Sequence, residues 1–350
     1  MIHNLQKLDN IVNMFHMNNA LCIGDIMLDE YISGPADRLS PEAPVPVIRC
    51  TNTRQVLGGV GNLAANLKGL GCQTAVFYTI GRDSDGEQIN KMLSEKGIIT
   101  FPFPISNITT KKQRIIAQKQ QICRIDHEEP LSLTRQQEDK IIHHITSLMP
   151  KYNIIFLSDY NKGLITPYVA QNIIKQANTM HKNIFVDPKG TNYEKYKGAT
   201  LVKPNFNEFK TAIKHNLPTE TGNIDTLNTE SVKTMAEKLR QKLKLEKIVV
   251  TLGEQGMVGI ENNKAIYRPT TAHSVSDVSG AGDTSLAVLG ASLGTGTSLE
   301  NAIDLANIAA GIVVGKEGTA ILSSTELKKT LNDMFHTQPT TFWWNNKQNA

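Results

Sequence analysis

Short apolar runs alternate along this chain with longer amphipathic stretches. Ala20-Leu21-Cys22-Ile23, Thr74 to Ile80, Asn153 to Leu157, Asn183 to Val186, Ala199 to Val202 and Lys247 to Leu252 have strand length and read as buried strands. Asn62 to Leu70 carries Leu63, Ala64, Leu67 and Leu70 at helical spacing, and Ala281 to Leu293 and Leu299 to Val314 read as long buried helices. Strand, helix, strand repetition predicts an α/β fold, with a mostly parallel sheet covered on both faces. In such sheets ligands bind at the carboxyl ends of the strands.

Two segments break the alternation. Tyr31 to Arg49 contains Pro35, Pro41, Pro44 and Pro46, so it is expected to be extended. Asn107 to Asp126 holds two β-type runs, Gln113 to Ala117 and Gln121 to Ile125. Together they predict a small antiparallel sheet that stands off the main body as a lid. There is no internal repeat and no clear linker. The expected organisation is a helical N-terminal extension (1–19), one domain (20–335) with lid segments 31–49 and 107–126, and a polar tail (336–350) whose Phe342, Trp343 and Trp344 could dock it.

Composition narrows the function. With 350 residues, 40% of them hydrophobic, the chain can bury a large core. A net charge of +4 is small for this length and argues against a nucleic-acid binder, whereas it suits a phosphorylated small substrate. Cys22, Cys50, Cys72 and Cys123 form no Cys-x-x-Cys pair, which argues against zinc. The first three sit in or beside apolar runs, as reduced core thiols of a cytoplasmic protein would. No apolar run approaches the roughly 18 residues of a membrane span. His143-His144, on a polar amphipathic stretch, is expected at the surface.

The candidate chemistry lies in Asp277-Val278-Ser279-Gly280-Ala281-Gly282-Asp283-Thr284, just before an apolar helix. Small residues let the backbone approach a ligand, and the helix dipole stabilises an anion at the exposed N–H groups of Gly280 to Asp283. Phosphoryl transfer needs that kind of charge neutralisation, and an aspartate in the same loop could take the proton of an acceptor hydroxyl. The plainer alternative makes Asp283 an ordinary first-turn acid. Gly58-Gly59-Val60-Gly61-Asn62-Leu63-Ala64 is a second glycine-rich turn. Its Gly59-x-Gly61-x-x-Ala64 spacing matches a dinucleotide fingerprint, but Thr51 to Gln55 before it is polar and offers no buried strand.

The segment Asp277 to Ala287 resembles the C-terminal signature of the ribokinase, or PfkB, family of carbohydrate kinases. Gly58 to Leu67, with Gly71 and Gly81-Arg82-Asp83-Ser84-Asp85-Gly86, resembles its N-terminal signature. The likeness runs from about Leu21 to Leu322. It implies a ribokinase-like three-layer α/β/α fold with a β lid, ATP with Mg²⁺, and Asp283 as catalytic base in the loop Gly280, Ala281 and Gly282. It also implies that Gly58, Gly59 and Asn62 approach the sugar. Asp25, at the end of the first strand, is placed to accept hydroxyl hydrogen bonds. Asp29 either adds contacts or anchors the lid.

Five stretches resemble one subfamily, the bacterial D-glycero-β-D-manno-heptose 7-phosphate kinases. They are Ser40-Pro41-Glu42-Ala43-Pro44-Val45-Pro46-Val47, Gln120 to Asp126, Leu157 to Gly163, Val186 to Gly190 and Ala306 to Lys316. The implied reaction places a phosphate on the anomeric hydroxyl of an acceptor that already carries one. Arg124, Lys162 and Lys189 are candidates for holding that distal phosphate, against the alternative of surface cations. On the nucleotide side, Asn205 and Glu208 are expected near the phosphates and the metal, Glu208 reaching it directly or through water. Thr251, Gly253 and Gly256 form either an ATP-flanking loop or a plain hairpin turn. Asn307, Ala310 and Gly311 either line an adenine pocket or, for Asn307, serve an internal helix–helix hydrogen bond. Lys203 stands where some relatives have Thr, adding charge near the nucleotide or simply exposed.

Two rival readings remain. One is another kinase of the family, acting on ribose, a fructose phosphate or a ketodeoxy sugar acid. The other is a silent sugar-phosphate sensor, which would have no use for Asp283. Unpaired lid edges predict a homodimer through the lid. Relatives often carry a C-terminal nucleotidyltransferase domain, and the sequence after Leu331 leaves no room for one, so a separate nucleotidyltransferase is expected.

Overall fold

Six parallel strand pairings build the sheet that the apolar runs predict. The computed structural model describes residues 2–118, 120–218, 228–272, 276–316 and 318–336. Strands β1 (Asn19–Gly24), β2 (Ile26–Ser33), β3 (Arg38–Leu39), β4 (Pro46–Val47) and β5 (Asn52–Gly59) come first. They are followed by β6 (Gln73–Ile80), β7 (Ile99–Pro104), β8 (Lys111–Ala117), β9 (Gln120–His127) and β10 (Ile154–Ser158). The last are β11 (Asn183–Asp187), β12 (Leu201–Val202), β13 (Lys247–Thr251), β14 (Met257–Glu261) and β15 (Lys264–Arg268). The main sheet has the order β15-β14-β13-β12-β11-β10-β1-β6-β7. It is parallel from β13 to β7, and β14 and β15 add an antiparallel edge.

The helices are α1 (Ile2–Asn13), α2 (Val60–Gly69), α3 (Ser84–Glu95), α4 (Arg135–Leu148) and α5 (Pro167–Thr179). Then come α6 (Phe206–Asn216), α7 (Thr229–Lys242), α8 (Ala281–Gly294), α9 (Leu299–Val314) and α10 (Ser324–His336). Strand side chains alternate between faces, so each central strand feeds two cores. Ala20, Cys22 and Phe156 join the core under α2, α8 and α9, while Leu21, Ile23 and Leu157 join the one under α4 to α7. Helix starts follow local chemistry. Thr134 with Gln137 and Asn205 with Glu208 form capping boxes, and Thr166 precedes Pro167 at the first turn of α5. The N-terminal helix places Leu8, Ile11 and Val12 in the same core as Leu327 and Leu331 of α10.

A second sheet, ordered β5-β2-β8-β9, stands apart as the lid. Its strands differ from the expected Tyr31 to Arg49 segment. The prolines leave only the two-residue hairpin β3–β4 between residues 34 and 51, because proline has no amide proton for a ladder and its ring restricts neighbouring backbone. The ladder is built instead by the flanking β2 and β5. A strand therefore does precede Gly59. It was hidden because β5 is exposed over Asn52 to Arg54, and it belongs to the lid and not to the parallel sheet that a dinucleotide site requires.

Two smaller expectations change. Cys50 is exposed, so only Cys22 and Cys72 are core thiols. His144 is no plain surface residue, since its ring packs edge-on against Phe77 at 5.3 Å. The tail residues 337–350 and the segment 219–227 lie outside the described residues. Among the described residues, no helix is long and apolar enough to cross a membrane.

Candidate active site

The carboxyl ends of β10, β11 and β12 bring Tyr160, Asp187 and Lys203 to the start of α8. Gly280 caps that helix with φ +82° and no side-chain cap, a left-handed conformation suited to glycine. A Cβ there would stand 3.0 Å from the Asn62 amide and the Thr319 methyl. With no capping side chain, the first turn keeps its anion-accepting character. At the third position of the helix, Asp283 is 5% exposed and tethered at both oxygens. The Asn62 amide donates to Oδ2 at 2.7 Å, and the Tyr160 hydroxyl donates to Oδ1 at 3.0 Å. Asn62 is itself fixed, because Asn66 Nδ2 donates to its Oδ1 and Asn66 Oδ1 accepts from Thr284 and the Leu322 amide.

Burial drives the Asp283 carboxyl up to about 7, helped by the negative charge of Asp187 and opposed by the Asn62 and Tyr160 hydrogen bonds and by Lys203. Tyr160 is pushed well above the usual phenol range by burial and by Asp283, so it remains a donor. Lys203 is not exposed. It is 2% accessible, its ammonium lies 3.0 Å from Asp187 Oδ1, and it stands 3.6 Å from where a Gly282 Cβ would be. A cation thus adjoins the anion-accepting turn.

Asp25 sits below Tyr160. Its Oδ2 accepts from the Tyr160 and Lys162 amides and its Oδ1 from the Leu164 amide. Three of about four acceptor positions on the carboxylate are therefore used by the loop after β10. Burial, then the charge of Asp159, raises it to about 6. Asp29 accepts from Arg114 at 2.6 Å within the lid and abuts Gly58, whose Cβ would meet Asp29 Oδ2 at 2.4 Å. Gly59 joins β5 to α2 at φ +59° and ψ −136°, with the Asp25 carbonyl oxygen 2.3 Å from any Cβ. Gly59→Ala is therefore expected to lose at least about 1–3 kcal/mol of stability, the usual cost of such a backbone, read from urea unfolding. An unchanged midpoint would contradict the strain assigned to this turn.

The basic candidates separate. Arg124 lies on the exposed strand β9 and holds Asp126 through two hydrogen bonds of 2.8 and 2.9 Å. Lys162 pairs with Glu128 at 2.5 Å on the lid side. Lys189 instead pairs with Glu208 at 2.8 Å, on the side of Asp187 and α6. Glu208 closes the capping box with Asn205, so both its oxygens are engaged. Asn205 bridges to Thr251, and Gly253 beyond it has φ +62° with open space above its Cα. Gly256 completes the tight turn into β14. Asn307 donates to the Pro269 carbonyl and not to another helix, and Gly311 lies against Thr271 where a Cβ would be 2.8 Å from the hydroxyl. With Ala310 half-buried beside them, they hold the segment after β15 against α9. Among the described residues, no group of three or more His, Cys, Asp or Glu could cage a metal. Magnesium held mainly by nucleotide phosphates and water needs no such cage.

The family model described as pfkB family carbohydrate kinase matches residues 17–326. The chain belongs to this family. It is a phosphotransferase with a hydroxyl acceptor. The kinase is 39% identical over 309 residues to Bifunctional protein HldE of a Nitratiruptor species, covering 88% of this chain and 64% of that one. It is 40% identical over 312 residues to Bifunctional protein HldE of Geotalea uraniireducens, covering 88% and 62%. The chain thus spans less than two thirds of the length of these relatives. In fold it is similar to phosphofructokinase-2 from Escherichia coli, with TM-score 0.73, 18% identity and 90% and 100% of the two chains covered. It is also similar to a ribokinase from Thermotoga maritima, with TM-score 0.69, 18% identity and 90% and 99% covered. The expected ribokinase-like architecture is the one observed.

Tyr160, Asp187 and Arg114 join the candidate site of this kinase without having stood out individually in its sequence. Tyr160 and Asp187 lie inside the stretches Leu157 to Gly163 and Val186 to Gly190. Their position at strand ends was the available signal.

Proposed function

We propose that this kinase transfers the γ-phosphoryl group of ATP to the anomeric hydroxyl of D-glycero-β-D-manno-heptose 7-phosphate, giving the 1,7-bisphosphate. The observation that carries the reading is the pairing of an uncapped helix start at Gly280 with a buried carboxylate, Asp283, held at both oxygens. The substrate assignment draws on the five stretches that resemble heptose 7-phosphate kinases and on the extent of the match to the HldE proteins.

ATP with Mg²⁺ supplies the phosphoryl group and part of the neutralising charge. The chain's own residues do the rest. Asp283 takes the proton of the acceptor hydroxyl, and a carboxyl raised to about 7 is basic enough to do so near neutral pH. Tyr160 and Asn62 aim it. The amides of Gly282 and Asp283, with Lys203 beside them, face the transferring group, while the Ala281 amide turns back to the Val278 carbonyl at 3.3 Å. Asn205, Thr251 and Gly253 border the nucleotide, Glu208 lies towards its metal, and Asn307, Ala310 and Gly311 shape the base pocket. Asp25 and Asn62 flank the sugar, and Arg124 and Lys162 hold its distal phosphate. The product belongs to ADP-heptose synthesis in the cytoplasm, with a nucleotidyltransferase acting next. Strand β9 is exposed throughout, with Ile122 and Ile125 at 44% and 45%, and offers a lid edge to a second copy of the chain. Sedimentation giving a strictly monomeric mass would remove that last element.

The direct test follows ADP release from ATP and Mg²⁺ with a panel of sugar phosphates. Heptose 7-phosphate is expected to give the highest kcat/KM. Faster turnover of ribose or fructose phosphates would overturn the assignment.

A further inference from the structure

Residues paired directly across neighbouring strands share a face. In the lid, Tyr31 is paired with Arg54 and with Arg114, Asp29 with Lys112, Lys112 with Asp126, and Arg114 with Arg124. One face of the lid therefore carries four cations against two carboxylates. It is the face turned to the main body. Tyr31 Oη lies 3.1 Å from Thr319 Oγ1, beside the catalytic turn, and the guanidinium groups of Arg54 and Arg114 sit 4.9 and 5.2 Å from the Tyr31 ring centre.

The four cations are not equivalent. Arg114 is committed to Asp29 at 2.6 Å. Arg124 takes both oxygens of Asp126. Lys112 reaches the same Asp126 only at 3.8 Å, although its side chain is just 17% exposed. Lys162, on the loop that Asp25 holds, reaches the lid by pairing with Glu128 just after β9. Burial and then repulsion from Lys162 push the Lys112 ammonium below its ordinary range, and Arg124 adds to the repulsion. Three cations thus crowd a space bordered by Asp126 and Glu128. A dianion entering there would relieve the crowding and join lid to main body.

We infer that Lys112, with Arg124 and Lys162, seats the phosphate that the acceptor already carries, and that the lid thereby selects phosphorylated over unphosphorylated sugars. The inference rests on the proposed reading of a sugar-phosphate acceptor. It brings in Lys112, which sequence patterns did not single out. It removes Lys189, whose ammonium is held by Glu208 on the other side of the site.

The test compares heptose 7-phosphate with unphosphorylated heptose. Lys112→Met is expected to raise KM for the phosphorylated acceptor roughly 10–100-fold, as loss of a charged hydrogen bond does. KM for ATP and turnover of the unphosphorylated sugar should not move, and Lys112→Arg should restore most of the loss. Lys111→Met is the control, because Lys111 points to the opposite face and pairs with Asp85 at 2.8 Å. It should leave the discrimination intact. If Lys112→Met does not fold, Arg124→Gln on the exposed strand reads the same subsite. A preference for the phosphorylated sugar that survives in both Lys112→Met and Arg124→Gln overturns this inference alone. A parent enzyme with no such preference sinks the acceptor reading and this inference with it.

Discussion

Asp283→Asn is expected to cut turnover by about 10²–10⁴-fold, the usual worth of a general base, while ATP still binds. The substitution keeps size and one acceptor oxygen, so Asn62 and Tyr160 retain something to bond. Only proton abstraction is removed. The check is kcat by coupled ADP release alongside nucleotide titration. Parent-level turnover would take Asp283 out of the role of base.

The same group sets a pH signature. Its carboxyl is raised to about 7 by burial, so the proposed base loses its charge as pH falls through that value, and kcat is expected to fall with it. Tyr160→Phe removes a hydrogen bond that favours the charged form, and the acid limb of the profile should move upward. Stability runs the other way. A carboxyl whose folded value lies above its ordinary 3.8 favours folding most below 3.8, and that contribution fades as pH rises to about 7. At pH 8, Asp283→Asn should therefore be no less stable than the parent, a protein trading activity for stability at its reacting group.

Periodicity was enough to locate most of the main sheet, because its strands are buried on both faces and read as continuous apolar runs. Leu299 to Val314, helical by its apolar pattern, is helix α9 with the same ends. The lid was harder. Its strands β2 and β5 are half polar, and Thr53, Arg54 and Gln55 carry no apolar alternation because one side meets solvent. Strand β7 went unread because Pro102 and Pro104 argue against a strand, and it tolerates them as the outermost strand of the sheet. At the site, the glycine turns and Asp283 were legible because their chemistry is local. The partners of Asp283 were not. Asn62 lies 221 residues away and Tyr160 lies 123, and only the fold brings them to the carboxylate. Glu208 shows the converse, since a local capping pattern with Asn205 engages a side chain that family likeness sends to a metal.

Lys203→Met should be the most destabilising single change near the site. The ammonium is 2% exposed and its partner Asp187 is 15% exposed, so the substitution strands a carboxylate in a poorly solvated place. Breaking one side of a buried ion pair typically costs about 3–5 kcal/mol, whereas replacing both sides costs far less. Urea unfolding should show Lys203→Met losing close to that amount, with Asp187→Asn in the same chain recovering much of it. Additive losses in the double variant would mean that the two groups are not coupled. The kinetic consequences have opposite signs. Lys203 favours the charged form of Asp283 and Asp187 disfavours it. The acid limb of the kcat profile should therefore move up in Lys203→Met and down in Asp187→Asn. A shift in the same direction for both would show that the pair acts through structure alone. Opposite shifts would identify Asp187 and Lys203 as the pair that tunes the base, with Asp187 keeping it basic enough to take a proton near neutral pH and Lys203 limiting that rise.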